Sequence, residues 1–296
     1  KVIKVAGYQG KGSVHTRSID FFINKLSKIF NFEYEKDITL SGKKASSLIE
    51  LTKDNDIQIS YLWSSYYEKL IPEIQLLDLP FYFENKNDVK ALIDNKFYNF
   101  VSTKLDNNLN LKLLGFWDNG ARHISTNRSF IHDKNSCSDL KIRTTPSELH
   151  INIFNKLGFD SCPLDVRDFK KALTHGEIDA QENPLTNFWN FGVYNSQKYL
   201  TLSSHLFGFC LFVVNQSFFN KLKNEEQELI LEAARQTTNY QFNLAEEDDN
   251  KLIDMIKKEK VNIHEMTFTE KNYFSEKVQE FHHDFFIKFP NMKFYK

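Results

Sequence analysis

The order of hydrophobic and polar positions divides the first part of the chain into alternating strand-like and helix-like segments. Short apolar or alternating runs predict strands at residues 2–6, 32–34, 57–62 and 111–117. Between them, apolar residues recur at helical spacing over residues 19–30, 45–51 and 89–101. This alternation is typical of βα units and of a mostly parallel sheet.

From Gly120 a second series of short elements begins. Extended pieces are predicted at 122–126, 141–144, 161–164 and 178–181, with helices at 146–158 and 166–174. The apolar run at 206–214 predicts a strand, and the charged region 218–260, which contains no Pro or Gly, predicts a long helix or helix pair. A last strand at 261–266 and an amphipathic helix at 270–289 complete the pattern.

Composition and charge are those of a globular protein. Hydrophobic residues make up 41% of the chain and charged residues 26%. The net charge is −1 with acids and bases interleaved, which excludes a nucleic-acid-binding surface because neutralising phosphates requires clustered Lys and Arg. No apolar stretch reaches the roughly 18 residues that a membrane-spanning helix needs. Since the sequence begins at a strand-like segment without Met, we expect that an N-terminal export signal has been removed.

The three cysteines, Cys137, Cys162 and Cys210, are too few and too scattered for a zinc ribbon or a disulfide scaffold. We expect free thiols, and a bridge between Cys137 and Cys162 stays open for an oxidising compartment.

Two segments carry the most specific pattern. Leu140-Lys-Ile-Arg-Thr-Thr-Pro-Ser147 contains Arg143, and forty residues after that arginine stands Gln-Glu-Asn-Pro, within Ile178-Asp-Ala-Gln-Glu-Asn-Pro-Leu185. Together with segments 72–81, 116–122, 197–205 and 225–229, they resemble the solute receptors of TRAP-type transporters, often called the DctP family. The resemblance covers about residues 1–265.

The resemblance implies an α/β, two-lobed periplasmic-binding-protein-like fold of type II-like organisation. Each lobe is expected to be a mixed sheet flanked by helices, with a long helix running across both lobes. The first lobe would comprise residues 1–119 and about 209–245, and the second residues 120–208 and about 246–296. The hinge is expected at strand crossings near 119–122 and 205–210.

By the same resemblance, Arg143 corresponds to the arginine that binds a substrate carboxylate. A planar guanidinium matches two carboxylate oxygens, which a flexible lysine reproduces poorly. Arg122 corresponds to a second arginine that contacts the ligand in some members, although Arg128 is an alternative pocket cation. Asn183 corresponds to an asparagine that hydrogen-bonds near the carboxylate, or it shapes the turn before Pro184.

The sequence departs from the family pattern around the expected pocket. Thr144 and Thr145 stand where members commonly have Val-Pro, and Ala180 replaces a glycine. Val166 aligns with an aromatic residue that some relatives place against the ligand. Aromatic residues that are candidates to restore that contact are Trp63, Trp117 and Phe209, and core packing is an equally open role for each.

Other chemically suggestive groups do not form a recognisable catalytic or metal-binding motif. His282 and His283 are adjacent on a predicted helix and point about 100° apart, so they cannot easily share a metal. The serine pairs at 64–65 and 203–204 lack a nucleophile elbow and a recognisable base. Gly7, Gly10 and Gly12 do not have dinucleotide-binding spacing. We therefore expect no catalysis, no metal and no cofactor.

The resemblance implies an extracytoplasmic, periplasmic receptor that closes on a small organic acid and delivers it to the membrane permease subunits of a TRAP transporter. A ligand sensor of the same fold, or an enzyme acting on an organic acid, are the alternatives. The acid itself stays open, among C4-dicarboxylates, sugar acids, sialic acid and 2-oxo acids. Two pocket arginines would suit a dicarboxylate, and one arginine in a polar pocket a sugar acid.

Overall fold

The computed structural model of the protein describes residues 2–295. The nine strands of this region are β1 (Val2–Ala6), β2 (Asn31–Glu35), β3 (Ile59–Trp63), β4 (Leu111–Thr126), β5 (Lys141–Thr144), β6 (Asp160–Pro163), β7 (Ala180–Pro184), β8 (Tyr199–Asn215) and β9 (Asn262–Glu265). The α-helices are α1 (Val14–Leu26), α2 (Ser47–Lys53), α3 (Lys86–Ile93), α4 (Lys96–Leu109), α5 (Lys134–Cys137), α6 (Glu148–Leu157), α7 (Val166–His175), α8 (Leu185–Asn190), α9 (Gln216–Asn220), α10 (Asn224–Lys258) and α11 (Phe268–Lys288). Short 3-10 helices fill several connections, including Ser64–Tyr67 and Pro72–Asp78.

Two long antiparallel strands, β4 and β8, form the centre of the fold. Their pairing runs from Leu111 opposite Asn215 to Thr126 opposite Tyr199. The sheet order is β2-β1-β3-β8-β4-β7-β5-β6, with β9 also paired to β8. The β1, β2 and β3 strands pair in parallel on one side, as do β5, β6 and β7 on the other. The sheet is therefore mixed, as predicted, and the two central strands connect its halves.

The prediction of separate strands at 111–117 and 122–126 was wrong, because β4 continues through both. Register shifts between Asp118 and Gly120, and between Arg122 and Ile124, absorb the irregularity that interrupts the apolar pattern. Gly120 has φ +93°, a backbone conformation that residues with a side chain rarely adopt. In the same way, the apolar run at 206–214 is the second part of the 17-residue β8.

The helices follow the predicted pattern, except that two of the predicted helical regions are each divided into two helices. The stripe at 89–101 belongs to two helices, α3 and α4, and the region 218–260 contains the short α9 before α10. With 35 residues, α10 is about 52 Å long at the usual rise per residue. It packs on α1 and on β4, where Gln241 binds the backbone of Asp118 in both directions, at 2.8 and 2.6 Å. Within residues 2–295, no helix combines the length and apolar character needed to cross a membrane.

Buried hydrophobic residues fall into three clusters that follow the two halves of the sheet. The largest surrounds β1 and β3 and includes Ile3 and Ile59. The other two flank β5 and β7, one with Ile142 and one with Phe169. Near the C-terminus, Phe285 and Met292 pack in the first cluster, although the predicted boundaries assign this part of the chain to the second lobe. The residue boundaries of the lobes stay a prediction. The three cysteines are free thiols.

Candidate functional site

Arg143, at the middle of β5, is a buried arginine without a buried acidic partner. It is 1% exposed. Its Nε and Nη2 donate to the carbonyl oxygen of Leu164 at 2.9 and 2.6 Å, and its guanidinium carbon lies 4.7 Å from the ring centroid of Phe169. Among residues 2–295, no carboxylate oxygen lies within 4.0 Å of a guanidinium nitrogen of Arg143. Two of the five N–H donors of an arginine are thus used by one carbonyl group.

The electrostatic environment of Arg143 leaves its positive charge largely uncompensated. Burial lowers the pKa of Arg143, while Tyr66 and Glu182 oppose that effect. An arginine nevertheless stays charged in proteins. Burying a charge without a partner destabilises the folded protein by roughly several kcal/mol. The position is therefore suited to an anion that supplies the missing charge.

Arg122, on β4, has its own acidic partner. Its Nε donates to Glu182 Oε2 at 2.5 Å and its Nη2 to Glu182 Oε1 at 2.6 Å. Glu182 stands opposite Ile124 in the β4–β7 pairing, diagonally from Arg122 on the same face of the sheet. His205 Nε2 lies 3.2 Å from Glu182 Oε2. Glu182, which belongs to the Gln-Glu-Asn-Pro motif, thus neutralises the charge of Arg122.

The pKa values in this group agree with a stable ion pair. Burial alone would raise the pKa of Glu182, but Arg122 and His205 hold it well below its usual range. Burial lowers the pKa of His205, and Glu182 opposes that shift. Glu182 is therefore ionised at neutral pH and balances the charge of Arg122.

Trp63 lies at the end of β3, directly against Arg122. The guanidinium carbon of Arg122 is 3.8 Å from its ring centroid, an arrangement that favours a cation on the aromatic face. Arg122 Nη1 and Trp63 Nε1 are buried and have no hydrogen-bond partner within the described chain. The stack thus brings Trp63, from the first half of the sheet, into contact with Arg122.

A chain of buried amides connects β7 to the loop after β1. Asn183 donates to Gln181 Oε1 at 2.5 Å and accepts from Asn187 Nδ2 at 3.2 Å. Gln9 then donates to the side-chain oxygens of Asn187 and Asn119, both at 3.0 Å. Asn183 Oδ1 also lies 3.5 Å from Arg122 Nη2. These amides form a polar surface beside the arginines.

Two buried carboxylates make contacts between the two halves. The carboxylate of Glu68 accepts from Ser147 Oγ at 2.6 Å and from the next backbone N–H, at the start of α6, at 2.9 Å. In the opposite direction, Asp165 accepts from the backbone N–H groups of Ala45 and Ser46 at 2.8 and 3.1 Å. Each half thus places a carboxylate on backbone donors of the other, and these contacts hold the two halves together.

Ser65, Asp78 and His150 form a further buried polar group next to Trp63. Ser65 Oγ donates to Asp78 Oδ2 at 2.7 Å, while His150 Nε2 is 3.4 Å from Ser65 Oγ. The ring of His150 lies 5.2 Å from that of Trp63. Because the serine proton goes to Asp78, the histidine does not activate the hydroxyl as a base would. The group supplies hydrogen bonds and not a nucleophile.

Four of the residues singled out in the sequence are brought together. Arg143 and Arg122 interact electrostatically, and Arg122 contacts both Trp63 and Asn183. Arg128, the alternative cation, lies on the surface with its side chain 57% exposed and paired to Asp179 at 3.1 Å.

Trp117 and Phe209 lie against the long helix α10. Trp117 Nε1 donates to Thr238 at 3.1 Å, and the ring of Phe209 is 6.3 Å from that of Phe242. Both are fully buried. These contacts account for the two side chains as packing residues, and a ligand contact by either stays a prediction.

Several residues of the candidate site were not identified from the sequence. Glu182 lies within the quoted Gln-Glu-Asn-Pro motif, and the two-residue period of a strand beside Arg122 was the signal that could have found it. Phe169 lies one helical turn after Val166, so α7 supplies an aromatic ring at a different position from the expected one. Glu68 and Asp165 gave no local signal, because their partners are about eighty and one hundred and twenty residues away.

The fold and the site define a two-lobed α/β binding protein with a buried cationic centre between the halves of its sheet. Residues 40–288 match the bacterial extracellular solute-binding protein family 7, DctP, and the chain belongs to this family. The predicted family is thus confirmed.

Relatives and solved structures agree with that assignment. The chain is 29% identical over 252 residues to the 2,3-diketo-L-gulonate-binding periplasmic protein of Escherichia coli, covering 85% of this chain and 75% of that protein. The sugar acid binding protein of Advenella mimigardefordensis, solved with galactonate, has a TM-score of 0.92 at 24% identity over 97% of this chain and 93% of that one. A TRAP periplasmic solute-binding protein of Sulfurospirillum deleyianum, solved with succinate, has a TM-score of 0.90 at 24% identity, over 96% and 94%. The two structures confirm the predicted fold.

Proposed function

We propose that the protein is the extracytoplasmic solute receptor of a TRAP transporter and that it binds a small organic acid through Arg143. The observation that carries this proposal is the buried guanidinium of Arg143, which has no carboxylate within 4.0 Å among the described residues, beside an arginine that does. A ligand carboxylate would supply charge-assisted hydrogen bonds to the N–H groups that Leu164 does not use. Membership of the solute-binding family supports the same role.

The ligand class that the site favours is a sugar acid with one carboxylate. Glu182 neutralises Arg122, which leaves Arg143 as the arginine that has no carboxylate oxygen within 4.0 Å among residues 2–295. A second ligand carboxylate would have to be buried beside Glu182 without a cation of its own, which is unfavourable. A C4-dicarboxylate therefore fits less well than a monocarboxylate.

The remainder of the site is suited to hydroxyl groups. Buried polar atoms with no hydrogen-bond partner in residues 2–295 include Gln9 Oε1, Asn119 Nδ2, Arg122 Nη1 and Thr145 Oγ1. Sugar hydroxyls both donate and accept, so they can pair with amide oxygens and with N–H groups alike. The names of relatives that bind 2,3-diketo-L-gulonate and galactonate agree with this ligand class.

Ligand delivery requires that the receptor distinguish a bound from an empty state. Because the contacts of Glu68 and Asp165 join the two halves, they would break if the halves separated, and a ligand that touches both halves would shift the equilibrium towards the joined, closed state. The closed form would then dock on the membrane permease subunits of the transporter. A receptor with this role would act outside the cytoplasmic membrane, in the periplasm or its equivalent.

A thermal-shift screen followed by calorimetry tests the proposal. The panel contains galactonate, gluconate, glucuronate and 2,3-diketo-L-gulonate, with succinate and malate as dicarboxylates and galactose as the uncharged control. A ligand at 100 times its dissociation constant adds about 2.7 kcal/mol to stability, so we expect a clear rise in melting temperature with one or more sugar acids and none with galactose. Binding of dicarboxylates alone would contradict the ligand class, and binding of galactose but of no acid would contradict the role of Arg143.

The same samples distinguish a receptor from an enzyme. The bound acid should be recovered unchanged by NMR after prolonged incubation with the protein. Consumption of the acid would contradict the receptor assignment.

A further inference from the structure

Three potential metal ligands from distant parts of the chain meet on the second half of the molecule. His132 follows β4, His264 lies in β9, and Glu270 lies in the first turn of α11. His132 Nδ1 is 2.5 Å from Glu270 Oε1, and His264 Nε2 is 3.1 and 3.0 Å from its two oxygens. The three ligand atoms all lie within 4.8 Å of one another.

These separations are close to those around a tetrahedral zinc ion. With metal–ligand bonds of about 2.0–2.2 Å, neighbouring ligand atoms in a tetrahedron are about 3.3 Å apart. The distances from His264 to the carboxylate, 3.1 and 3.0 Å, are slightly shorter than this value, and a small rotation of the half-exposed His132 would open its shorter contact. Two imidazoles and one carboxylate are ligands that zinc and related divalent transition metals prefer.

The surroundings suit an ion with one open coordination position. The side chain of His132 is 49% exposed, whereas those of His264 and Glu270 are 23% and 15% exposed, so solvent reaches the cluster from one side. The ring of Phe130 lies 6.3 Å from that of His132 and 5.5 Å from that of His264, which limits how the imidazoles move.

Glu270 is also held in place as a carboxylate. Its Oε2 accepts from the backbone N–H of Thr267 at 2.6 Å, as part of the capping box of α11. The capping box thus positions the oxygen ligand before any ion binds.

We propose that His132, His264 and Glu270 form a binding site for a divalent transition-metal ion of the zinc class, with a fourth position open to solvent. The ion would join the segment after β4 to β9 and to the beginning of α11, three pieces of chain up to 138 residues apart. Its role would be to fasten the C-terminal segment to the second half of the sheet. The site shares no residue with the arginine centre, so it is independent of the proposed ligand.

Titration of metal-free, tag-free protein with Zn²⁺ by calorimetry tests the site, with His132→Ala, His264→Ala and Glu270→Gln as variants. The matched control is His175→Ala, because His175 is an exposed histidine with a single glutamate neighbour, Glu177, at 3.6 Å. We expect one Zn²⁺ per chain, binding weakened by about tenfold or more in each of the three variants, and unchanged binding in the control. The melting temperature should rise with Zn²⁺ in the wild type and much less in His132→Ala.

A second measurement covers the case in which a variant folds poorly. Co²⁺ bound by two histidines and a carboxylate should give a visible absorption band in the wild type, and Zn²⁺ should displace it. Absence of stoichiometric Zn²⁺ binding by the wild type, or full retention of binding in His132→Ala and His264→Ala, would overturn the proposal.

Discussion

Arg122 and Glu182 form a buried ion pair across β4 and β7, with two guanidinium–carboxylate hydrogen bonds of 2.5 and 2.6 Å. This pairing distinguishes the two arginines of the site. Arg122 is neutralised and held by Glu182 and Trp63, whereas Arg143 contacts a carbonyl oxygen and an aromatic ring. We therefore propose Arg143, and not Arg122, as the arginine whose charge a ligand would complete.

Breaking the Arg122–Glu182 pair from one side should destabilise the protein. Glu182→Gln leaves the buried guanidinium uncompensated, and we expect the free energy of unfolding to fall by about 3–5 kcal/mol. Urea denaturation at pH 7 measures this change. In the double variant Arg122→Met with Glu182→Met, both charges are gone, so most of the loss should be recovered. A double variant as unstable as Glu182→Gln would show that the pair is not the source of the effect.

The contacts between the two halves should control ligand affinity. Glu68→Gln and Asp165→Asn each weaken hydrogen bonds that join the two halves. If these bonds break when the cleft opens, we expect each substitution to reduce the affinity for the cognate acid by about 1–3 kcal/mol. Calorimetry measures the affinity, and small-angle scattering should show a smaller compaction on ligand addition.

The control for these variants is Glu73→Gln. Glu73 is a partly buried carboxylate of the first half whose partner, Lys104 at 3.2 Å, lies in the same half. Affinity reduced equally by Glu73→Gln, or unaffected by both Glu68→Gln and Asp165→Asn, would contradict a role in closure.

Asp249, on α10 next to the strand crossing, should make stability depend on pH. Burial raises its pKa to about 7, with a further contribution from Asp118 and an opposing one from Lys86. An aspartate in the unfolded chain titrates at about pH 3.9. Between about pH 4 and 7 the folded protein therefore binds the extra proton, and stability is lost as the pH rises through this window.

We expect Asp249→Asn to be more stable than the wild type by about 1–2 kcal/mol at pH 8, an amount reduced for partial solvent screening, with the difference vanishing near pH 4. Denaturant unfolding across this pH range measures it. Asp254→Asn, an exposed aspartate on the same helix, is the control and should show no such pH dependence. A constant difference between Asp249→Asn and the wild type across the range would be inconsistent with this titration.

The sequence predicts most helices and strands because their apolar positions are locally periodic, as in α1 and α6. It fails for β4 and β8 because the strands cross between the halves at irregular positions, where Gly120 and the bulges interrupt the alternation. The two strands stay continuous because they pair with each other along their length. The local hydrophobic pattern contains no information about this pairing.

At the candidate site, Arg143, Arg122 and Asn183 could be proposed from the sequence because they lie in compact motifs at a specific spacing. Glu68, Asp165 and the cluster of His132, His264 and Glu270 could not, since their partners come together only when distant segments fold. For the aromatic residues, hydrophobicity alone did not separate Trp63, which contacts Arg122, from Trp117, which packs against α10. Long-range geometry decides such cases.

Calorimetric titration of Arg143→Ala with the cognate acid tests the central claim most directly, alongside Arg143→Lys and the surface control Arg128→Ala. We predict that Arg143→Ala loses about 2–5 kcal/mol of binding free energy, that Arg143→Lys loses less, and that Arg128→Ala binds like the wild type. Circular dichroism should show all three folded. Wild-type affinity in a folded Arg143→Ala would contradict the assignment of Arg143 as the carboxylate-binding residue.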